Sequence, residues 1–384
     1  MKKLNLLTPG PVPMPPEVYN ALGELMSHHR TPEFTKLLID CHNNLKNFFS
    51  TKQPVLFHTS TGSGAMESAI VNCLAKTDEV LVVVSGKFGE RWRDICNVYG
   101  LKKVHVINVP WGESVRVEQI KAVMDSQPIA AVLTQHCETS TGALHPVKEI
   151  AEMLKAYPKT ILMVDAITAI GAIELKMDEW GVDVICAGSQ KAFMMPTGLS
   201  FIALSEKAWK KTEVSDLPKY YFNLKSELKA LEKGQTFFSS AVTHIRALNA
   251  FFNYLNTQGG VEFLQKRCKL LSKATTEYIK ILGLDIFPQV PSPSLTVLKV
   301  PKDIDGKKLR QHIEDKYGVV FMGGQDELLG KIIRIGHLGY ITNEKLIEGL
   351  EALAMALNDF DFKMNQEQIY NAKSLAKKIL EETL

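Results

Sequence analysis

Short apolar runs alternate with amphipathic stretches over the first two-thirds of the chain, and this alternation predicts the fold. Seven runs are apolar nearly throughout, as expected for strands covered on both faces. They are Val55 to His58, Val80 to Val84, Val104 to Ile107, Ile129 to Leu133, Thr160 to Val164, Val184 to Ala187 and Leu199 to Leu204. Helical patterns such as Ala65 to Ala75 lie between them. The pattern indicates an α/β fold with a mainly parallel sheet.

The pattern changes past about Gln258. A long helical stretch is followed by strand patterns over Ser294 to Val300 and Ile332 to Ile335, by a helical pattern over Gly306 to Lys316, and by helical patterns towards the C-terminus. The opening is rich in proline, which cannot occupy a helix interior, and indicates an extended segment. We therefore expect an N-terminal extended arm over 1–15, a large domain over 16–257 and a small C-terminal α+β domain over 258–384.

Composition narrows the class of protein. The 384 residues include 45 Lys and Arg against 42 Asp and Glu, and 45% are hydrophobic, which excludes disordered, collagen-like and coiled-coil proteins. No basic run stands out, so nucleic acid is not an expected partner. No apolar stretch approaches the roughly 18 residues of a membrane helix and no apolar leader follows Met1, so we expect a cytoplasmic protein without a membrane partner.

The six cysteines are scattered along the chain. They form no CxxC pair, so the sequence indicates neither a metal site nor a disulfide framework. Most have apolar neighbours, and we expect them to be small core residues.

Ligands of open α/β sheets bind at the carboxyl ends of the strands, and several of these ends are followed by informative residues. Thr59 to Gly64 reads TSTGSG directly before a helix, and its hydroxyls and backbone amides suit a phosphate. A plain helix cap with a tight turn is the alternative. Asp165 ends the run Thr160 to Val164, and a buried carboxylate there needs a cationic or hydrogen-bonding partner. The alternative is a cap for the next segment.

Two cationic residues complete the set of candidates. Lys191 follows the run Val184 to Ala187, and a desolvated lysine is a candidate nucleophile for a carbonyl group, whereas most lysines are solvated surface groups. Arg334 lies within an apolar strand pattern and could bind a carboxylate bidentately, or it could point outward from an edge strand. Together the four features are what pyridoxal 5′-phosphate (PLP) and an amino-acid substrate require.

The motifs also resemble a known family, the class V aminotransferases of PLP fold type I, and within it the alanine–glyoxylate and serine–pyruvate group. The ordered motifs are Leu7 to Pro13, His28 to Phe34, Thr61 to Glu67, Glu138 to Gly142, Asp165 to Ile167, Gly188 to Lys191 and Ile333 to Gly336. The resemblance implies a large domain with a seven-stranded, mainly parallel sheet and a smaller C-terminal domain.

The resemblance also implies how the cofactor is held. Lys191 would bind it covalently, and Asp165 would pair with the pyridinium nitrogen. Thr139 would hydrogen-bond to the ring hydroxyl, Phe88 would stack on one ring face, and Ile167 would pack on the other. Tryptophan is common at the position of Phe88, so phenylalanine is a departure that keeps the stacking.

Phosphate contacts come from two places in the family. Within one chain, the implied ligands are Thr61, Gly62, Ser63 and Gln190. The neighbouring subunit would contribute from a segment that Thr236 to Ser239 resembles, with Ser239 and Thr236 as the candidate ligands. Ser240 stands where the family usually has proline. The resemblance therefore implies a homodimer with composite active sites.

The implied reaction is a ping-pong transamination. Arg334 would bind the substrate carboxylate, and Gly10 in the arm would lie at the substrate. Lys191 would act as general base and proton shuttle while Asp165 keeps the ring nitrogen protonated. No second cationic residue is evident for a substrate side chain, which favours alanine or serine as donor and glyoxylate or pyruvate as acceptor.

Three alternatives to this reaction remain at the level of sequence. A PLP-dependent lyase or cysteine desulfurase would use the same cofactor site, but Gly323 to Gly330 contains no cysteine, and desulfurases carry histidine where this chain has Phe88. A nucleotide-binding dehydrogenase is a remote alternative, because the chain has no GxGxxG motif after its first predicted strand. A regulator without catalytic activity is disfavoured because Lys191 and Asp165 are both retained.

Overall fold

The computed structural model describes residues 4–382. Its strands are β1 (Asn5–Leu6), β2 (Val55–His58), β3 (Glu79–Val84), β4 (Lys103–Asn108), β5 (Ile129–Gln135), β6 (Cys137–Glu138), β7 (Ala143–Leu144), β8 (Ile161–Asp165), β9 (Val184–Gly188), β10 (Ser200–Leu204), β11 (Leu295–Lys299), β12 (Val319–Val320), β13 (Met322–Gly323) and β14 (Ile332–Gly336). Its α-helices are α1 (Pro16–Leu22), α2 (Pro32–Phe49), α3 (Gly62–Cys73), α4 (Lys87–Val98), α5 (Val117–Met124), α6 (Val147–Leu154), α7 (Met177–Trp180), α8 (Glu206–Lys211), α9 (Leu224–Leu231), α10 (Val242–Gln258), α11 (Val261–Ile281), α12 (Gly306–His312), α13 (Asn343–Asp359) and α14 (Gln366–Leu380).

A seven-stranded sheet forms the centre of the molecule, in the order β2-β10-β9-β8-β5-β3-β4. Strand β10 runs antiparallel to both of its neighbours, and the remaining strand pairs are parallel. Each predicted apolar run coincides with one of these strands to within two residues, so the predicted sheet is confirmed. Alternate residues of the strands pack into two different cores, one on each face.

A three-stranded antiparallel sheet in the order β11-β14-β13 accompanies the C-terminal helices. Helices α11, α13 and α14 contribute to a third core, which also receives one face of this sheet. The expected helix over Gly306 to Lys316 is α-helical only to His312 and continues as a π-helical turn, Ile313–Tyr317, that ends at Gly318 in the left-handed region.

The helix expected over Ala65 to Ala75 is shifted. It runs from Gly62 to Cys73, and Leu74 is already extended. The apolar repeat marked the residues that pack on the sheet, whereas the first helical turn consists of Gly62, Ser63 and Gly64, which carry no apolar signal.

The N-terminal arm is extended and attaches to the C-terminal part of the chain. Strand β1 pairs in parallel with β12, and Leu7 is fully buried in the third core. The Gly336 N–H donates to the Leu7 carbonyl at 2.8 Å, and the Tyr340 N–H donates to the Pro13 carbonyl at 2.9 Å. These bonds place Pro9 and Gly10 beside the end of β14. The domain limits at residues 15 and 257 stay a prediction.

Two expectations about composition can be compared with the structure. All six cysteines are free and buried, so their prediction as core residues is confirmed, and burial raises the pKa of Cys73 and Cys96 to about 12. Within residues 4–382, no helix combines the length and the apolar character that crossing a membrane requires.

Replacing Gly336 by alanine should loosen the arm. A Cβ at this position would lie 2.2 Å from the Thr8 carbonyl oxygen, so the arm backbone must move. We expect Gly336→Ala to lower the free energy of unfolding by about 1–3 kcal/mol, measured by urea denaturation. Gly23→Ala is the matched control, because its Cβ would have no neighbour closer than 3.6 Å. Equal stability of the two variants would contradict the proposed attachment.

Candidate active site

The carboxyl ends of three strands meet at one edge of the central sheet. Strands β8 and β9 are parallel neighbours, and Ser200 at the start of β10 pairs with both Gly188 and His58, which end β9 and β2. This register brings together the segments that begin after His58, at Asp165 and after Gly188. The candidate residues predicted from separate motifs therefore lie around one cleft.

Lys191 points from this edge towards the N-terminal arm. Its Nζ donates a hydrogen bond to the Pro9 carbonyl at 2.6 Å, and a Cβ on Gly10 would lie 2.6 Å from the same nitrogen. Burial, reinforced by the charge of Arg334, lowers the pKa of Lys191 to about 8, while Asp165 opposes that shift. The amine is thus much closer to its neutral, nucleophilic form than a surface lysine is.

Asp165 is a buried carboxylate with one fixed hydrogen bond. Its Oδ1 accepts the Ile167 N–H at 2.9 Å, so the residue does cap the following turn, as the structural alternative predicted. Burial raises the pKa of Asp165 to about 7, whereas Arg91 and Lys191 favour the ionised form. A cation bound against this carboxylate would stabilise its charge, and a protonated pyridine nitrogen is such a cation.

The N-terminus of α3 has the features of a phosphate site. Thr61, at its N-cap, is extended and makes no side-chain capping bond, so the cap alternative does not account for the hydroxyl. A Cβ on Gly62 would lie 2.5 Å from Ile167 Cδ1, and only glycine lets the backbone come so close. Gln190 Oε1 is buried without a hydrogen-bond partner among the described residues, and a Cβ on Gly188 would approach it to 2.9 Å.

These observations fit the PLP phosphate. The free backbone amides of a first helical turn and the positive end of the helix dipole bind such an anion. The buried amide of Gln190 can reorganise its hydrogen bonds around this group, since its oxygen has no partner and its nitrogen is a donor. Thr61, Gly62, Ser63 and Gln190 are therefore suitably placed, and their roles remain predictions.

Arg91 is a member of this cleft that the sequence reasoning missed. Its Nη1 donates to Ser63 Oγ at 3.0 Å, and its guanidinium carbon lies 4.7 Å from the centre of the Phe88 ring. It follows Phe88 by three residues on α4, a spacing that places both side chains on one helix face. The spacing was the available signal, and the side chain adds a cation beside the phosphate site.

Glu138 was also missed, although its motif was noted. The side chain is fully buried, and its carboxylate accepts the N–H groups of Phe88 and Gly89 at 3.1 Å and of Ser140 at 3.2 Å. Burial raises the pKa of Glu138, and these hydrogen bonds oppose the shift. It therefore fixes the start of α4 and hence Phe88. The signal was a carboxylate after an apolar strand, the same pattern that identified Asp165.

Arg334 lies on the middle strand of the C-terminal sheet. It is 6% exposed, its Nε donates to the Gly323 carbonyl at 2.9 Å, and its Nη1 donates to the Thr139 carbonyl at 3.0 Å. The alternative of an outward-facing edge residue is wrong, because β11 and β13 flank its strand. Burial lowers the pKa of Arg334 to about 10, which leaves it charged at neutral pH.

The remaining predicted ligands have hydroxyl partners or are exposed. Thr139 Oγ1 lies 2.7 Å from Thr168 Oγ1. Thr236 Oγ1 donates to the Phe238 carbonyl at 2.7 Å and lies 2.5 Å from Ser240 Oγ, whereas Ser239 is exposed. Thr236 thus bonds within its own loop, and the predicted contacts of Thr236 and Ser239 with a neighbouring subunit stay predictions.

Comparison with known proteins shows which protein family this chain resembles. The sequence model described as "Aminotransferase class-V" matches residues 16–325, well over half of the chain. The soluble hydrogenase small subunit of Synechococcus sp. is 34% identical over 365 residues, covering 94% of each protein. The L-aspartate–glyoxylate aminotransferase of Paracoccus denitrificans is 32% identical, with 92% of this chain and 91% of the relative covered.

Two further similarities concern the same group of enzymes. The serine–glyoxylate aminotransferase of Hyphomicrobium methylovorum is 32% identical, and the match covers 92% of this chain and 90% of the relative. The crystal structure of an alanine–glyoxylate aminotransferase from Nostoc sp. superposes with a TM-score of 0.89 at 27% identity, covering 93% of this chain and 96% of that chain.

The lowered pKa of Lys191 predicts the pH profile of cofactor attachment. Below about pH 8 its amine is protonated, so uptake of PLP by the apoenzyme should slow by ~10-fold per pH unit. Arg334→Gln removes a charge that lowers this pKa, so the midpoint should move to higher pH. Stopped-flow absorbance measures the rate, and borohydride reduction with peptide mass mapping should locate the label on Lys191.

Arg93→Gln is the matched control. Arg93 lies on α4, and its side chain is partly exposed to solvent and pairs with Asp94. Its profile should equal that of the parent protein. A label on another lysine, or an unshifted midpoint in Arg334→Gln, would contradict the assignment.

Proposed function

This chain belongs to the class-V aminotransferase family and is a PLP-dependent enzyme, and we propose that it transfers an amino group from alanine or serine to glyoxylate or pyruvate. The proposal rests on one observation above all. The buried Arg334 forms no ion pair within 4 Å among the described residues, keeps donors beyond its two backbone hydrogen bonds, and lies close enough to Lys191 for its charge to lower the pKa of that amine. A nucleophilic amine beside a carboxylate-binding group is the arrangement an α-amino acid requires.

Bound PLP supplies an electron sink for deprotonation at the substrate α-carbon. We assign its binding to the residues of the cleft as follows. Lys191 would hold it covalently in the resting enzyme, and the first turn of α3 would bind its phosphate together with Gln190. Phe88 and Ile167 would pack on the two faces of its ring, and Thr139 would bind the ring hydroxyl.

The protein's part in the reaction is to orient groups and to move one proton. Arg334 binds the substrate carboxylate and so fixes the α-carbon near Lys191. The Lys191 amine, once freed from the cofactor on substrate binding, would accept the α-proton and later return it, and its pKa near 8 suits both roles. Asp165 would hold a proton on the ring nitrogen, because a cation there would favour the ionised form of this buried carboxylate. The same residues serve both halves of a ping-pong cycle.

Small substrates suit this cleft. Arg91, the other arginine near Lys191 and Asp165, is engaged with Ser63 and stacked on Phe88, so it is not presented to a substrate side chain. Three of the similar proteins are named as glyoxylate aminotransferases, with aspartate, serine or alanine as the donor. That shared acceptor supports glyoxylate, and the absence of a further arginine beside Arg334 among the described contacts supports alanine or serine.

We further propose a homodimer in the cytoplasm, with active sites shared between its subunits. Ser239 and Thr236 of one subunit would contact the phosphate bound by the other. The segment that carries them includes Phe237, which is 43% exposed. Its Phe238 ring packs against Tyr220 and Tyr221, which are 80% and 42% exposed. Exposed aromatic clusters are typical of protein interfaces.

Arg334→Lys should test the substrate site. A lysine ammonium cannot reproduce a two-pronged contact, and losing such a charge-assisted pair costs about 2–4 kcal/mol, so kcat/KM should fall roughly 30-fold to 1000-fold. Steady-state assays with alanine, serine, aspartate and glutamate against glyoxylate and pyruvate measure it. Cofactor content should be unchanged. A preference of the parent enzyme for aspartate or glutamate would refute the small-donor proposal, and loss of cofactor would make Arg334 structural.

Phe237→Asp should test the dimer. A charge in the aromatic patch should weaken self-association by about 10-fold or more, since the centre of an interface excludes unpaired charges. Sedimentation velocity at micromolar concentration measures this, and PLP affinity should fall in parallel. Tyr370→Asp is the control, because this residue is 70% exposed on α14. A parent protein that is monomeric and fully active at micromolar concentration would contradict the proposal.

A further inference from the structure

A cavity lies next to the segment that follows Lys191, and neither Lys191 nor Pro9 lines it. Its volume is about 420 Å³, within the range of small-molecule sites. It is lined by Ala192 and Met194 from the chain after Lys191, by the ends of α10 and α11, and by the loop 337–342 that follows β14. It is therefore bounded by both the large sheet region and the C-terminal region.

Arg267 is the cationic group of this cavity. It is partly buried, its Nη2 donates to the Ile341 carbonyl at 2.9 Å, and it forms no ion pair within 4 Å among the described residues. Burial lowers the pKa of Arg267. Glu344, which is exposed, acts on it from a distance. A guanidinium in this setting retains donors for a carboxylate.

His337 provides an independent sign of a ligand. It is 1% exposed and lines the same cavity, and its Nε2 lies 2.7 Å from Thr296 Oγ1. Its Nδ1 is buried and has no hydrogen-bond partner among the described residues. Unpaired buried polar atoms are rare, because each costs about 1–3 kcal/mol. A polar group bound in the cavity would satisfy this nitrogen.

Glu17 gives the cavity a second charge, of opposite sign. It is exposed at the cavity wall, and the charges of both Glu17 and Arg267 act on the pKa of Tyr254, so both lie near that side chain. The cavity is also lined by the apolar side chains Phe263, Leu264 and Leu338. One small molecule that carries an anion, a cation and an apolar group would match all three features.

We propose that this cavity is a binding site for an α-amino acid with an apolar side chain, separate from the site at Lys191. Its carboxylate binds Arg267 and reaches His337, its ammonium group faces Glu17, and its side chain packs against the apolar wall. The Lys191 side chain is directed to Pro9 and Gly10 instead, so the two sites do not share their charged residues.

Calorimetric titration with L-leucine tests the proposal on holoenzyme whose cofactor has been reduced with borohydride, since the reduced enzyme cannot react. We expect saturable binding of one L-leucine per chain. Arg267→Gln should weaken this binding about 10-fold or more, and Glu17→Gln should weaken it several-fold. Arg334→Lys should leave the affinity unchanged. The matching 2-oxo acid and the matching amine should each bind about 10-fold more weakly, because each lacks one charged group.

Glu33→Gln is the matched control, because Glu33 occupies the first turn of α2 as Glu17 does that of α1, and it does not line this cavity. If Arg267→Gln fails to fold, Arg267→Lys replaces it, and the exposed Glu17→Gln gives an independent reading. Absence of binding up to about 10 mM L-leucine would overturn the proposal. Binding that Arg334→Lys abolishes, or that neither Arg267 nor Glu17 variants weaken, would also overturn it.

Discussion

The arrangement of the active-site cleft depends on the free-energy cost of burying charged groups at one edge of the central sheet. The cleft contains four charged residues, Lys191, Asp165, Glu138 and Arg334. Burial raises the pKa of the two carboxyl groups and lowers the pKa of the lysine and the arginine, so in each case it favours the neutral form. The surrounding structure offsets that cost with backbone groups, for the Pro9 carbonyl accepts from Lys191 and the Gly323 and Thr139 carbonyls accept from Arg334. The result is a set of charged groups that are held in place and incompletely paired, which is what substrate binding needs.

The N-terminal arm joins the two parts of the active site. Lys191 extends from the central sheet and Arg334 from the C-terminal sheet, so their separation depends on how those parts meet. The arm is bonded to both, through the Lys191 amine and through the backbone of Gly336. Glycine at 336 and at 10 permits these approaches, since a Cβ at either position would overlap its neighbour. Backbone packing, and not side-chain chemistry alone, sets the geometry for a substrate between the lysine and the arginine.

Glu138 links the position of Phe88, the proposed stacking residue, to that of Arg334, the proposed substrate ligand. Its carboxylate holds the start of α4 and therefore Phe88, and its charge acts on both Asp165 and Arg334. The next residue, Thr139, supplies the carbonyl that orients Arg334. One short segment after β5 thus positions groups on two sides of the cleft.

The sequence by itself determined the seven strands of the central sheet and the strand-end positions of Asp165 and Lys191, because strands buried on both faces must be continuously apolar and their polar ends stand out. It also indicated the glycine-containing loop before α3 that we propose as the phosphate site. Only the tertiary structure decided that Arg334 lies on a middle strand facing Thr139, that the arm accepts the lysine's hydrogen bond, and that Glu138 and Arg91 belong to the cleft. Those features depend on contacts between residues far apart in the chain, such as Arg334 with Thr139 and Lys191 with Pro9, and local apolar periodicity carries no information about such pairs.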